Sequence, residues 1–245
     1  QYSLILRVSL SKKKAAPSAL ALMNKQHFEL QDVEPLNGKQ HEFFANYAGG
    51  KSQVLAGSAG TGKTFMTLFK AFEEILKAKI NYRRIVIIRS AVATRDIGHL
   101  PGTLEEKQAI YEIPYVGICN ELFGRGDAYA LMKKNGIIDF MLTSYVRGIT
   151  LDETIVIVDE FQNLTAHEAD SIVTRLGKGS KIIFCGDTCQ TDFTRNNEKD
   201  IDKFLDVINR MPQWFDINEF ESGDIVRSGI VKEYIKTKER MGENI

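Results

Sequence analysis

Cysteine is scarce in this chain. Its 245 residues hold three, Cys119, Cys185 and Cys189. An odd, sparse count without paired spacing excludes a disulfide framework and gives no zinc pattern. Cys185 closes an apolar run and reads as a small core residue. A reducing, cytoplasmic compartment is expected. Net charge is also lacking: 32 basic residues balance 32 acidic ones. A chain-wide basic footprint for nucleic acid is therefore absent, so any such site must be a local patch. Short basic runs at Lys12-Lys13-Lys14, Arg83-Arg84 and Lys133-Lys134 read first as solvated faces. No apolar run approaches the roughly 20 residues that span a bilayer, and no membrane partner is expected. Leu4-Ile5-Leu6 has no basic region ahead of it, so a signal peptide is not expected. Internal repeats and low-complexity tracts are missing too. The 43% hydrophobic and 26% charged fractions are those of an ordinary globular protein able to bury a sizeable core.

Against these absences one segment is rich in meaning. Gly57-Ser58-Ala59-Gly60-Thr61-Gly62-Lys63-Thr64 fits the phosphate-binding P-loop, Gly-x4-Gly-Lys-Thr. Its glycines let backbone N–H groups turn inward around a phosphate with no Cβ in the way. Lys63 is expected to reach the β- and γ-phosphates, and the Thr64 hydroxyl to hold Mg²⁺. A helix opening at Lys63 adds the positive end of its dipole. The setting agrees. A buried-strand pattern, Ser52 to Ala56, precedes the loop, and Phe65, Leu68, Phe69, Phe72, Ile75 and Leu76 follow at helical spacing. The ligand implied is ATP with Mg²⁺.

Residues 1–35 read as an N-terminal extension with a lysine-rich linker. Residues 36–245 read as one domain. Asn37-Gly38 signals a turn into a short helix over 39–47. Strand and helix patterns then alternate, which predicts an α/β fold with a mostly parallel sheet covered by helices on both faces. Strands are expected at Gln53–Ala56, Arg84–Arg89, Thr154–Val158, Lys181–Cys185 and Phe215–Phe220. Helices are expected at 64–78, 166–176, 198–210 and 225–241, with Asp224 capping the last. Residues 90–150 read as an irregular insertion, of the kind that is functional or carries elements of its own.

A second half of the site follows. Ile155-Val156-Ile157-Val158 ends in Asp159-Glu160, a strand that delivers two acids to the sheet edge where ligands bind. Asp159 is expected to hold Mg²⁺ and Glu160 to act as the general base on an attacking water. Gln190, beyond the strand that ends at Cys185, is a candidate for the γ-phosphate, and Gln40 for the adenine edge. Phosphoryl transfer also needs positive charge in the transition state, often from an arginine finger worth roughly 10³–10⁵ in rate. Arg175 and Arg227 are the candidates, each with a salt-bridged helix arginine as the plain alternative.

Together these residues resemble the PhoH family of P-loop ATPases, related to the core of superfamily 1 helicases. The resemblance covers roughly residues 36–240. Besides the P-loop it rests on Gly98-His99-Leu100-Pro101-Gly102 with Glu106-Lys107, on Arg147-Gly148-Ile149-Thr150-Leu151, and on Asp159-Glu160-Phe161-Gln162-Asn163. Thr174-Arg175-Leu176-Gly177, Gly186-Asp187 with Gln190 and Asp192, and Asp224-Ile225-Val226-Arg227 complete it. It departs from the family pattern at Arg89-Ser90, where Arg-Pro is common, and at Ile149, where a second arginine is common. The resemblance implies a RecA-like core, ATP hydrolysis, a role in RNA or single-strand metabolism, and membership of Gln162 in the acid motif. The trimmed chain looks like the short bacteriophage forms, whose location is the host cytoplasm. A superfamily 1 motor closes ATP between two such cores, and this chain has residues for one. A homo-oligomer is therefore expected, a hexameric ring with ATP between subunits and Arg175 or Arg227 reaching across. The 90–150 segment becomes the candidate nucleic-acid face, with Arg89, Arg95, Lys107 and Arg147 for phosphate and Tyr111 and Tyr115 for stacking, core or surface filling being the competing and stronger reading of the two tyrosines. The competing function is an ATP-dependent switch or assembly factor acting on a protein. A small-molecule kinase fits less well, because Asp-Glu-Phe-Gln suits water activation.

Overall fold

A computed structural model describes residues 28–76, 82–90, 104–187 and 195–241, with the backbone alone described at 104–107, 195–200 and 239. Six strands form one sheet: β1 (Ser52–Gly57), β2 (Arg84–Arg89), β3 (Ile138–Leu142), β4 (Thr154–Asp159), β5 (Lys181–Gly186) and β6 (Phe215–Phe220). Their order is β3-β2-β4-β5-β1-β6, and every pairing is parallel. Parallel pairing needs a crossover between strands, and the crossovers here are helices. Seven are described: α1 (Gly38–Ala48), α2 (Lys63–Leu76), α3 (Leu104–Leu122), α4 (Ala128–Lys134), α5 (Ala166–Val173), α6 (Arg195–Asn209) and α7 (Gly229–Arg240).

Alternation along each strand splits the core in two. Leu55, Ile85, Ile87, Ile155, Ile157 and Ile183 point to one face, where α1 to α4 cover them with Phe43, Phe72, Tyr115 and Met132. Val54, Val86, Ile88, Val156, Val158 and Phe184 point to the other, under α5 and α6 with Ile172 and Phe204. The central strands β4 and β5 are buried along their whole length, which is why they read as unbroken apolar runs. This is an α/β RecA-like core: β5 stands between the strand that enters the P-loop and the strand that ends in the acid pair. Because all six strands are parallel, β1, β4 and β5 release their loops at one rim.

The expected strands are all present, at the expected bounds for Arg84–Arg89 and Phe215–Phe220 and one or two residues longer for the rest. The stretch 90–150 is not irregular where it is described. It carries α3, α4 and the edge strand β3. Two features hid α3. Its apolar residues lie all round it, with Ile113 exposed and Tyr115 fully buried, and Pro114 sits inside it. Proline removes an N–H from the helical ladder and reads in sequence as a stop. The last helix begins at Gly229, four residues later than expected, with the Ser228 carbonyl accepting from Lys232 N–H. Asp224 is not its cap; that carboxylate accepts from Glu221 N–H in a separate 3₁₀ turn. Ile225 and Val226 are kept out of the helix because they pack on the P-loop. None of the described helices is long and apolar enough to cross a membrane.

Candidate active site

The P-loop leaves β1 at Gly57 and enters α2 at Lys63. Gly57 has φ +116°, and a Cβ there would collide with the Phe220 carbonyl of β6. Only glycine takes that conformation and that approach together. Ser58 N–H donates to the same carbonyl at 3.0 Å. The Ser58 amide thus ties the loop to β6 and is not among the donors facing a phosphate. Gly60 has φ +74°, and its missing Cβ makes room for Arg227 and Ile225. Val226 N–H donates to the Gly60 carbonyl at 3.1 Å, so residues 225–227 lie as a strap across the loop. Asn37 holds the strap from the α1 side by donating to the Asp224 carbonyl.

Lys63 folds its ammonium back into the loop. Nζ donates to the Gly57 and Ser58 carbonyls at 2.7 and 2.8 Å. Burial holds its pKa below the ordinary lysine value, and the negative charge of Asp187, Glu160 and Asp159 works against that shift. A buried cation resting on loop carbonyls, with acids behind it, is poised to exchange those carbonyls for phosphate oxygens.

The next residue completes the junction. Thr64 Oγ1 donates to Asp159 Oδ1 at 2.8 Å, across 95 positions of sequence. Asp159 is 6% exposed and ends β4. Burial raises its pKa, Glu160 adds to the rise, and hydrogen bonds from Thr64 and Tyr115 resist it. Tyr115, from α3, donates to Asp159 Oδ2 at 2.8 Å. Its own pKa lies far above the tyrosine value, first through burial and then through Asp159, so the phenol keeps its proton. One hydroxyl and one carboxylate are the hard oxygen donors that Mg²⁺ takes from a protein when phosphate and water supply the rest. The residues fit that ion. Clusters of three or more His, Cys, Asp or Glu able to hold a metal are absent among the described residues.

Glu160 is held in the left-handed region, φ 54° and ψ 45°. That turns it away from the direction Asp159 takes. Gln162 fixes the result: its Nε2 donates to Glu160 Oε2 at 2.6 Å, and its Oε1 accepts from Asp187 N–H at 3.1 Å. Gly186 has no room for a Cβ because the Gln162 amide and the Phe161 ring fill that space. Asp187 itself is 5% exposed, just beyond the end of β5.

The remaining candidates separate. Gln40 is at the P-loop, but its carboxamide is engaged: Nε2 donates to the Thr61 carbonyl at 2.9 Å and Oε1 accepts from Leu36 N–H at 2.7 Å. It braces the loop beside Gly62. Arg227 lies against Gly60 in the same chain. Arg175 does not reach the site of its own chain. It follows α5 at the far rim, where its carbonyl accepts from Leu151 N–H ahead of β4, a full strand length from Asp159. Arg89 is not an outward phosphate contact. It pairs in register with Asp159, and its guanidinium lies 6.0 Å from the Tyr111 ring centroid. Burial works against its charge, and Tyr115, Asp159 and Glu160 outweigh the burial. Tyr115 is fully buried and offers no stacking face. Arg147 is exposed. Arg95 and Gln190 lie outside the described residues, and Lys107 has only its backbone described. Ala59 sits in the loop between Ser58 and Gly60, half-buried.

Sequence reasoning missed Tyr115, the strap over Gly60, and the double grip of Gln162. Tyr115 carries no local signal, since it meets Asp159 only through the packing of α3 on the sheet.

A family model described as PhoH-like protein matches residues 32–239. The chain belongs to the PhoH-like protein family. A PhoH-like protein of Bacillus subtilis (strain 168) is 35% identical over 188 residues, which is 75% of this chain and 57% of that one. Protein PhoH of Escherichia coli (strain K12) is 32% identical over 176 residues, 71% of this chain and 49% of that one. The chain spans about half the length of the curated PhoH-like relatives it matches. Among solved structures, the Pyrococcus furiosus Hef helicase domain aligns over 80% of this chain and 39% of its own, with TM-score 0.45 and 12% identity. The large terminase of a thermophilic bacteriophage, in complex with ADP, aligns over 82% of this chain and 49% of its own, with TM-score 0.45 and 15% identity.

Proposed function

We propose that this PhoH-like chain binds ATP with Mg²⁺, hydrolyses it, and acts on RNA or single-stranded DNA as a helicase-like homo-oligomer, a hexameric ring in the cytoplasm. The observation that carries the reading is the Thr64–Asp159 hydrogen bond beside a buried Lys63. It joins the two halves of a triphosphate site that the sequence separates by 95 positions. In this reading Lys63 exchanges the Gly57 and Ser58 carbonyls for the β- and γ-phosphates. Thr64 and Asp159 hold the metal, which supplies charge neutralisation at the transferred phosphate. Glu160 takes the proton of the attacking water, at the angle its left-handed backbone and Gln162 set. Arg227, already at the loop, supplies positive charge within the chain; Arg175 can serve only a neighbouring subunit.

The second reading, a switch that acts on a protein partner, draws on Arg89 and Tyr115. Arg89 pairs in register with Asp159, and the Tyr115 hydroxyl donates to Asp159, so neither is spent on a polymer. One assay separates the two: phosphate release with and without RNA or single-stranded DNA. Stimulation by polymer supports the first. Turnover unmoved by any polymer supports the second. Lys63→Ala is expected to abolish turnover in either case, and a Lys63→Ala chain with ordinary turnover would sink both.

A further inference from the structure

The structure assigns Tyr115 as the positioning residue of the metal-binding carboxylate: its phenol fixes Asp159 Oδ2 so that Oδ1 is the oxygen presented to the Thr64 side of the site. The inference rests on the Mg²⁺–nucleotide reading above.

The two oxygens of Asp159 are treated differently. Oδ1 accepts from Thr64 Oγ1, a group that must itself turn toward a metal. Oδ2 accepts from Tyr115, a group with no other task in the site. A carboxylate free to rotate offers either oxygen; one held by a rigid ring offers one. Tyr115 is well suited to hold. It is fully buried, its ring is packed 5.8 Å from the Phe140 ring of β3, and its neighbour Cys119 on α3 is buried in the same core. Arg89, in register with Asp159 on the adjacent strand, places a positive charge on the same side of the site. The donor to Asp159 thus comes from α3, while β2 and β4 supply the charges around it. Partners of this kind behind a metal ligand are worth roughly 10–100-fold in metal affinity.

The test is binding of a fluorescent ADP analogue to the full chain at increasing Mg²⁺, and again in EDTA. Tyr115→Phe is expected to raise the Mg²⁺ needed for half-maximal binding by about tenfold or more. Binding in EDTA, which reports the P-loop alone, should stay as in the unaltered chain. Tyr129→Phe is the control, because that phenol on α4 donates to Glu112, away from Asp159. It should leave the Mg²⁺ dependence unmoved. Tyr115→Phe with an unshifted Mg²⁺ requirement overturns the inference and leaves the ATPase reading standing. An unaltered chain whose nucleotide binding ignores Mg²⁺ overturns that reading as well. Should Tyr115→Phe fail to fold, 3-fluorotyrosine at position 115 of the otherwise unaltered chain gives a second readout. Its fluorine resonance is expected to shift with Mg²⁺ and ADP together and not with ADP alone. A resonance indifferent to the metal overturns the assignment.

Discussion

Glu160 stores backbone strain. A non-glycine residue in the left-handed region costs about 1–3 kcal/mol, and here the Gln162 bridge and the Phe161 packing hold it there. The strain aims one carboxylate away from its neighbour, which consecutive residues on an extended strand achieve only by a turn. Glu160→Gln keeps an oxygen that can accept from Gln162 Nε2 and removes the carboxylate proposed as the base. Nucleotide binding is expected to persist while hydrolysis falls by roughly 10²–10⁴, read from phosphate release and fluorescent nucleotide binding side by side. Ordinary turnover in that variant would place the base elsewhere. Gly57 makes the opposite demand. Alanine there meets the Phe220 backbone at a φ that L-residues avoid. Gly57→Ala is expected to cost at least about 2 kcal/mol in denaturant unfolding and to remove nucleotide binding. An unfolding midpoint equal to that of the unaltered chain would contradict the packing of β6 on the loop.

At the scale of elements, α2 is gripped at both ends. Its first turn holds Lys63 and Thr64 in the site. Its last turn is anchored by Glu74, which accepts from Lys181 Nζ at 3.0 Å and from the Tyr47 hydroxyl at 2.6 Å. Lys181 is 2% exposed at the start of β5 and lies 4.1 Å from the Tyr47 ring centroid. Removing one partner leaves the other charge buried, so Lys181→Met alone should cost about 3–5 kcal/mol, and Lys181→Met with Glu74→Leu should recover most of it. The pair also sets a pH dependence. Burial lowers the Lys181 pKa from 10.5, so the unfolded chain binds that proton more readily than the folded one. Stability should therefore rise with pH from the lowered Lys181 pKa upward, and fall again as pH drops through it. The rise ends near pH 10, because burial raises the Tyr47 and Tyr82 phenols above 10.0 and their ionisation in the unfolded chain has the opposite sign. Unfolding measured between pH 7 and 10 checks this; a rise that survives Lys181→Met has another source. Elements also differ in how plainly they could be read. Strands β4 and β5 are buried on both faces and announce themselves as apolar runs. Strand β3 is a five-residue edge strand whose alternating burial is marked by one polar residue, Asp139, with Met141 at the other half-buried position, and α3 presents apolar residues on every side, so neither gave a clear period in sequence.

For the whole molecule, one sheet rim gathers Lys63, Thr64, Asp159, Glu160 and the Arg227 strap, while Arg175 stands at the other. A head-to-tail neighbour is the arrangement that brings the two rims together. In light scattering with a non-hydrolysable ATP analogue, the mass is expected to approach six times the 27.6 kDa of one chain. A strict monomer with full turnover would defeat the oligomer. By itself the sequence determined the P-loop, the acid pair and the parallel α/β layering. Each of these is written in short-range chemistry: glycine at fixed spacing, an apolar run with a polar tip, a helical period. Only the tertiary structure decided that Tyr115 backs Asp159, that Arg89 faces inward, that Gln40 braces Thr61, and that Arg227 and Arg175 lie at opposite rims. Those are contacts between residues tens of positions or more apart, and no local pattern encodes them. They exist because parallel strands pack side by side and point one end of every loop at the same place.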